Sequence, residues 1–147
     1  MTLTTSSLEL SSQLLIGEQL KRAAHKTPEM EAFIYGEKRL TYRQIDSRAT
    51  QLAGWMQSQG IDHNDKVGFI LKNGLPFVEV FFGVSLAGGV GVPINFRLTA
   101  NEMAYIINNS DSKMLIIDYE YMETILSIRS RIPKVESIVV VDAQHST

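Results

Sequence analysis

The amino-acid sequence predicts an α/β fold: a doubly wound, mostly parallel sheet with helices on both faces, preceded by a short β-hairpin. Two observations lead to this prediction. After Gly60, short apolar segments alternate with segments of helical character, as βαβ units require. Each apolar segment carries at most one charge, which is typical of strands in a sheet that is covered on both faces.

The predicted elements follow from apolar periodicity and from the glycine and proline residues between segments. Residues 1–7 are rich in Ser and Thr and are expected to form a disordered leader. In chain order, the predicted elements are helix 8–25, strands 31–35 and 39–41, helix 41–60, strand 67–71, helix 75–87, strand 90–94, helix 99–108, strand 113–117, helix 121–131 and strand 137–141.

The ends of three helices have specific signals. Thr41 is followed three residues later by Gln44, and Thr99 is followed by Glu102, so each threonine begins a predicted capping box. Gly88 follows the apolar helix 75–87, where a left-handed residue ends a helix at little cost. We therefore expect Gly88 to have a positive φ angle.

The length favours one domain, and residues 1–147 are expected to be a single but partial α/β domain, because the chain stops just after a strand.

Composition excludes several classes of function. The formal net charge is −2 and no basic stripe occurs, which argues against nucleic-acid binding. The chain has no cysteine, and no apolar run is long enough for a transmembrane helix. A cytoplasmic location is the resulting expectation.

Two glycine-containing patterns do not predict catalysis. Residues 83–89 have the glycine spacing of a phosphate loop, but Gly89 and Val90 stand where a lysine and a hydroxyl are needed. The glycines also follow a helix and precede a strand, the reverse of a phosphate-binding arrangement. Ser85 lies inside the predicted helix rather than on a strand-to-helix turn, where a nucleophile elbow requires it. Its hydroxyl is expected to bond to the preceding helical turn.

Asp118 and Asp142 are the carboxylates of most interest. Each follows an apolar strand, so both are expected at the carboxyl edge of the sheet, where α/β folds bind ligands. Two such acids suit a magnesium ion or a phosphoryl group, although acidic residues also commonly form turns after strands. His25, His63 and His145 are scattered and have no metal-ligand spacing.

Four segments, in consistent order, resemble adenylate-forming acyl-CoA synthetases. They are LTYRQID at 40–46, KVGFILKN at 66–73, LAGGVGVPINFRLT at 86–99 and the strand 113–118. The resemblance covers roughly residues 12–142, and Gly89 departs from it because alanine is common there. The NFRLT run resembles fatty-acyl and related CoA ligases more than peptide-synthetase adenylation domains.

The resemblance implies that the chain is the amino-terminal fragment of a ligase, such as a long-chain fatty-acid–CoA ligase. The intact enzyme is then expected to use ATP, Mg²⁺ and CoA to convert a fatty acid or related carboxylate into an acyl-CoA. The family's phosphate loop with its lysine is missing from the 147 residues. We therefore assign no catalytic, cofactor-binding or metal-binding residue to the chain and expect it to be inactive and structural.

Two other functions remain open from the sequence. One alternative is a stand-alone α/β binding or receiver-type module that uses Asp118 and Asp142. The other is an interaction domain. A homodimer is expected, because cutting a larger sheet leaves either a strand edge or an apolar helix face in water. The two expected surfaces are the strand 137–141 and the helix face that carries Phe77, Val80, Phe81 and Val84.

Overall fold

A computed structural model describes residues 15–141. In chain order the elements are α1 (Ile16–Lys26), β1 (Glu31–Tyr35), β2 (Lys38–Thr41), α2 (Tyr42–Ser58), β3 (Lys66–Ile70), α3 (Leu75–Leu86), β4 (Val90–Pro93), α4 (Ala100–Asn109), β5 (Ser112–Asp118), α5 (Met122–Ser127) and β6 (Ser137–Val141). Short 3₁₀ turns, Tyr119–Tyr121 and Arg129–Arg131, flank α5. The predicted leader 1–7 and the first predicted helical residues, 8–14, lie outside the described residues.

The main sheet has four parallel strands in the order β4-β3-β5-β6. Phe69 pairs with Ile116, which in turn pairs with Val139 of β6. The antiparallel hairpin β1–β2 forms a separate two-stranded sheet. The predicted fold class is therefore confirmed, including the hairpin that precedes the parallel sheet.

Alternate residues of the central strands face two different apolar layers. Phe69 and Ile116 pack on the side of α2 and α3. Ile70 and Ile117 pack on the opposite side, against α4 and the segment that contains α5. All four side chains are at most 1% exposed, and burying a side chain of this size contributes about 1.5–3 kcal/mol. A third apolar cluster joins α1 and the hairpin to α2 and α3.

Close contact between α1 and α3 fixes the position of the first helix. The oxygen of the Ser85 hydroxyl accepts the N–H of Gly17 at 3.0 Å, instead of bonding to its own preceding turn as expected. A Cβ atom on Gly17 would lie 2.7 Å from a methyl carbon of Leu86. A larger residue at position 17 would therefore force the Leu86 side chain to move.

Both predicted capping boxes are present. The Thr41 hydroxyl accepts the N–H of Gln44, whose side-chain oxygen accepts the N–H of Thr41 at 2.9 Å. Thr99 and Glu102 make the equivalent pair of bonds at the start of α4. The Thr99 N–H and hydroxyl both donate to Oε2 of Glu102, each at 2.8 Å, and these two bonds hold the pKa of the Glu102 carboxyl below its usual value.

Two predictions need correction. The predicted helix 121–131 is broken, since α5 ends at Ser127 and Ile128 leaves helical geometry with φ −109° and ψ 8°. The α3 surface that was expected to be available for dimerisation is covered, because Val80 and Val84 are only 3% and 0% exposed. The α2 helix and the sheet pack against this side of α3, and Phe81 alone of the four named residues is substantially exposed, at 39%.

Gly88 has a φ of +84°, as predicted, and allows a test of how α3 ends. Gly88→Ala is expected to cost about 1 kcal/mol, because a Cβ atom disfavours left-handed backbone. The new atom would lie no closer than 3.7 Å to its neighbours, so the loss would come from the backbone and not from crowding. Denaturant unfolding would measure it.

The matched control is Gly54→Ala. Gly54 lies on the exposed side of α2 with open space around its α-carbon, so alanine there should stabilise the chain by about 0.5–1 kcal/mol. Equal midpoints for wild type and Gly88→Ala would contradict the assigned role of Gly88.

Candidate functional site

The carboxyl edge of the parallel sheet is the candidate site. From β3 the chain crosses to β4 on one side, and then returns to place β5 on the other side of β3. The connection after β3 therefore runs to β4 on one side, and the connection after β5 runs to β6 on the other side. The gap between the carboxyl ends of β3 and β5 is a topological switch point. Ligands of doubly wound folds bind at this position.

Asp118 lies at this point, as the sequence predicted, but its carboxylate is already engaged. Asp118 is the last residue of β5 and is half-buried. Its Oδ2 atom accepts the backbone N–H of Lys72, just beyond β3, at 2.7 Å. The carboxylate thus joins the ends of the two central strands.

The side chain of Lys72 makes a second connection across the same edge. Its Nζ atom lies 2.7 Å from Oε1 of Glu120, with both side chains about half exposed. The bond to Glu120 raises the pKa of Lys72 above its usual value. Sequence reasoning did not select this pair, although Lys72 follows the predicted strand 67–71 in the same way that Asp118 follows the predicted strand 113–117.

Aromatic side chains cover the neighbouring part of the edge. The rings of Phe96, after β4, and Tyr121, after β5, have centroids 6.3 Å apart, and both pack against the apolar layer below. The guanidinium carbon of Arg97 lies 5.4 Å from the centroid of the Phe96 ring. Burial raises the pKa of the Tyr121 phenol.

The opposite, amino edge holds a structural ion pair. Lys113 of β5 donates from Nζ to Oδ2 of Asp65 and to the carbonyl of Gly60, each at 2.8 Å. The Lys113 hydrogen bond lowers the pKa of Asp65, and the pKa of Lys113 is raised in turn. This pair ties the loop before β3 to the start of β5.

The described residues give no support to a magnesium or phosphoryl site at Asp118. Asp142 and His145 lie outside residues 15–141, so their placement relative to Asp118 is not described. Within the described part of the chain, no three His, Cys, Asp or Glu side chains group as a metal site would need. With Asp118 bound to the Lys72 N–H, the receiver-type hypothesis is not supported.

The glycine-rich segment has the structural role that its order in the sequence indicates. Gly83 lies inside α3, where a Cβ atom would come within 3.3 Å of the Ala49 carbonyl. Ser85 also lies inside α3, away from any strand-to-helix turn. Residues 83–89 therefore end a helix and allow close packing, and they form neither a phosphate loop nor a nucleophile elbow.

Comparisons with known proteins agree with this architecture. The family model described as AMP-binding enzyme matches residues 20–147. The 4-hydroxybutyrate–CoA ligase 2 of Metallosphaera sedula is 42% identical over 126 residues, which are 86% of this chain and 23% of the relative. A medium/long-chain-fatty-acid–CoA/3-oxocholest-4-en-26-oate–CoA ligase of Mycobacterium tuberculosis is 32% identical over 88% of this chain and 24% of its own length.

A solved structure shows the same fold. The inhibitor-bound N-terminal domain of FACL13 from Mycobacterium tuberculosis superposes with a TM-score of 0.81 and 30% identity, over 86% of this chain and 33% of that domain. The chain spans about a quarter of the length of the curated relatives described above. The chain therefore belongs to the AMP-binding enzyme family and is similar to the amino-terminal part of CoA ligases.

Proposed function

We propose that the protein containing this chain is a cytoplasmic fatty-acid–CoA ligase, and that these 147 residues are a structural part of its AMP-binding domain. The complete enzyme would join a carboxylate to the α-phosphate of ATP, which gives an acyl-adenylate and releases pyrophosphate. It would then pass the acyl group to CoA and release AMP. The observation that carries the proposal is that the sequence matches a CoA ligase and the fold matches a fatty acyl CoA synthetase, each along 86% of the chain.

The proposed substrate is a fatty acid or a related chain carboxylate. The names of the two relatives include a short hydroxy acid in one case, and fatty acids and a steroid acid in the other. All of these are carboxylates, and they range from a short hydroxy acid to fatty acids and a steroid acid. The NFRLT run at 95–99 supports the fatty-acyl branch of the family, and a long-chain acid is the substrate to test first.

The proposed role of the chain itself is to form the sheet layer behind the reaction site. ATP, Mg²⁺ and CoA are proposed for the complete ligase, and no three His, Cys, Asp or Glu side chains among residues 15–141 group as a metal site would need. Asp118 ends β5 at the switch point, and its carboxylate accepts the backbone N–H of Lys72. No helix among residues 15–141 has the length and apolar character to cross a bilayer.

The isolated chain should not catalyse carboxylate-dependent exchange of pyrophosphate into ATP. Preorganised charge around the phosphates is usually the largest catalytic contribution, and the 147 residues lack the phosphate loop and its lysine. The measurement is radiolabelled exchange with a panel of short and long carboxylates. The full reading frame, expressed in parallel, is the positive control, and exchange by the 147-residue chain alone would show that the predicted inactivity is wrong.

Asp118 distinguishes the structural role from a magnesium-binding role. Asp118→Ala should lower the free energy of unfolding by about 0.5–1.5 kcal/mol, because the Lys72 N–H loses its acceptor. Asp118→Asn keeps an oxygen acceptor and should lose less. Addition of Mg²⁺ should leave the amide resonances of residues 72 and 118 unchanged. A saturable Mg²⁺-dependent shift that disappears in Asp118→Asn would instead establish the receiver-type function.

We also propose that the isolated chain forms a homodimer through β6. This strand pairs with β5 on one side only among the described residues, and it contains no charge. Unpaired edges template pairing with a second chain, and a stable dimer needs about 1,200 Å² of buried surface in total. Sedimentation should therefore show dimers at micromolar concentration.

A charge on the edge strand should weaken this dimer. Val140 is 37% exposed on β6, so Val140→Lys places an ammonium in the paired edge. Leu126→Lys is the matched control, since Leu126 is 56% exposed and belongs to α5 rather than to β6. A single monomeric species of the wild-type chain at all concentrations would refute the homodimer.

A further inference from the structure

The loop between β3 and α3 contains an asparagine–glycine pair at the switch point. Asn73 and Gly74 lie outside both elements, and Asn73 is exposed to solvent. The chain has six asparagines, and Asn73 is the one that a glycine follows. The backbone nitrogen after an asparagine can attack the carbon of the asparagine side-chain amide. This attack needs a nitrogen that no neighbouring side chain hinders and no hydrogen bond engages.

The groups that would react are free within the described part of the chain. Neither the Asn73 side chain nor the Gly74 N–H forms a hydrogen bond with any residue in the range 15–141. Gly74 is the N-cap of α3 and lacks a side chain that would hinder approach. Around its α-carbon, the nearest atoms to an added Cβ would be 3.7–3.9 Å away, on Pro76 and Tyr35.

Three other asparagines are held by hydrogen bonds of their own side chains. Oδ1 of Asn95 accepts the N–H of Arg97 at 2.9 Å. Oδ1 of Asn101 accepts from the Arg131 guanidinium at 2.6 Å, and Nδ2 of Asn108 donates to the Arg131 carbonyl at 2.7 Å. Asn101 and Asn108 also lie within α4, where the helical backbone cannot reorient. These side chains are therefore less able to present their amide carbon to the next nitrogen.

Asn64 provides the closest internal comparison. It is also a loop residue, with φ of +66°. The nitrogen that would attack it belongs to Asp65, whose N–H donates to the carbonyl of Asp62 at 3.0 Å. Asp65 also has a side chain next to that nitrogen. Asn64 and Asn73 thus share a loop setting but differ in whether the attacking N–H is free.

We propose that Asn73 is a site of spontaneous deamidation in the folded chain. The Gly74 nitrogen gives its proton to solvent base and bonds to Cγ of Asn73, and the side-chain nitrogen leaves as ammonia. Water then adds to one carbonyl carbon of the resulting cyclic imide and breaks one of its two C–N bonds. One opening gives aspartate, and the other gives isoaspartate, in which the main chain runs through the former side chain.

The two products differ in their structural consequences. Aspartate adds a negative charge before the amino end of α3, which the helix dipole favours. Isoaspartate adds a carbon to the main chain between Lys72 and Leu75. Lys72 is held by its N–H bond to Asp118, and Leu75 is 8% exposed in an apolar cluster. The longer connection therefore strains one of these two anchors, and the isoaspartyl form should unfold at a lower temperature.

The test follows Asn73 and Asn64 in one peptide. The folded 147-residue chain is incubated in mildly alkaline buffer and digested with a glutamyl protease, which releases residues 38–79 together. Mass spectrometry, with an isoaspartate-specific methyltransferase, should find both products at position 73 while Asn64 stays intact. Gly74→Ala should slow the conversion about tenfold, equivalent to about 1.4 kcal/mol in barrier height. Its folding is checked by circular dichroism.

The unfolded chain in denaturant provides the reference rate for this sequence. We expect Asn73 in the folded chain to convert within about tenfold of that rate, a barrier difference below about 1.4 kcal/mol. A folded rate about a hundredfold or more below the unfolded rate would mean that the native loop protects Asn73, and would overturn the proposal. Equal conversion of Asn64 and Asn73 in the folded chain would overturn it as well.

Discussion

The fold depends on the burial of β3 and β5 on both of their faces. Phe69 and Ile116 face one apolar layer while Ile70 and Ile117 face the other, and all four are almost completely excluded from solvent. Parallel strands of this kind need helices on each side. The chain therefore covers one face with α2 and α3 before it changes sides with α4, and the switch point between β3 and β5 is a consequence of that change.

The sequence revealed those parts of the fold that local chemistry determines. A capping box needs only residues three positions apart, so the starts of α2 and α4 were predicted from Thr41 and Thr99. Gly88 was identified because few other residues accept a φ of +84°. The predicted strand 137–141 coincides with β6, a short apolar run whose ends are marked by polar residues.

The features that the sequence did not reveal depend on distant contacts. Ile125, Ile128 and Ile132 have helical spacing, yet the chain must also turn back toward β6 after Ser127. The guanidinium of Arg129 bonds to the carbonyls of Ile132 and Val135, at 3.1 and 2.8 Å, and so stabilises a 3₁₀ turn in place of a longer helix. The bond between Asp118 and the Lys72 N–H likewise joins residues 46 positions apart, and it exists only because β3 and β5 are neighbours.

Charged groups hold the two central strands together at their ends, where the apolar layers stop. At the amino edge, Lys113 of β5 binds Asp65 in the loop before β3. At the carboxyl edge, Asp118 binds the Lys72 N–H and Glu120 binds the Lys72 ammonium. The switch point of this chain thus uses its own charges to hold β3 and β5 together, at the same edge where ligands of doubly wound folds bind.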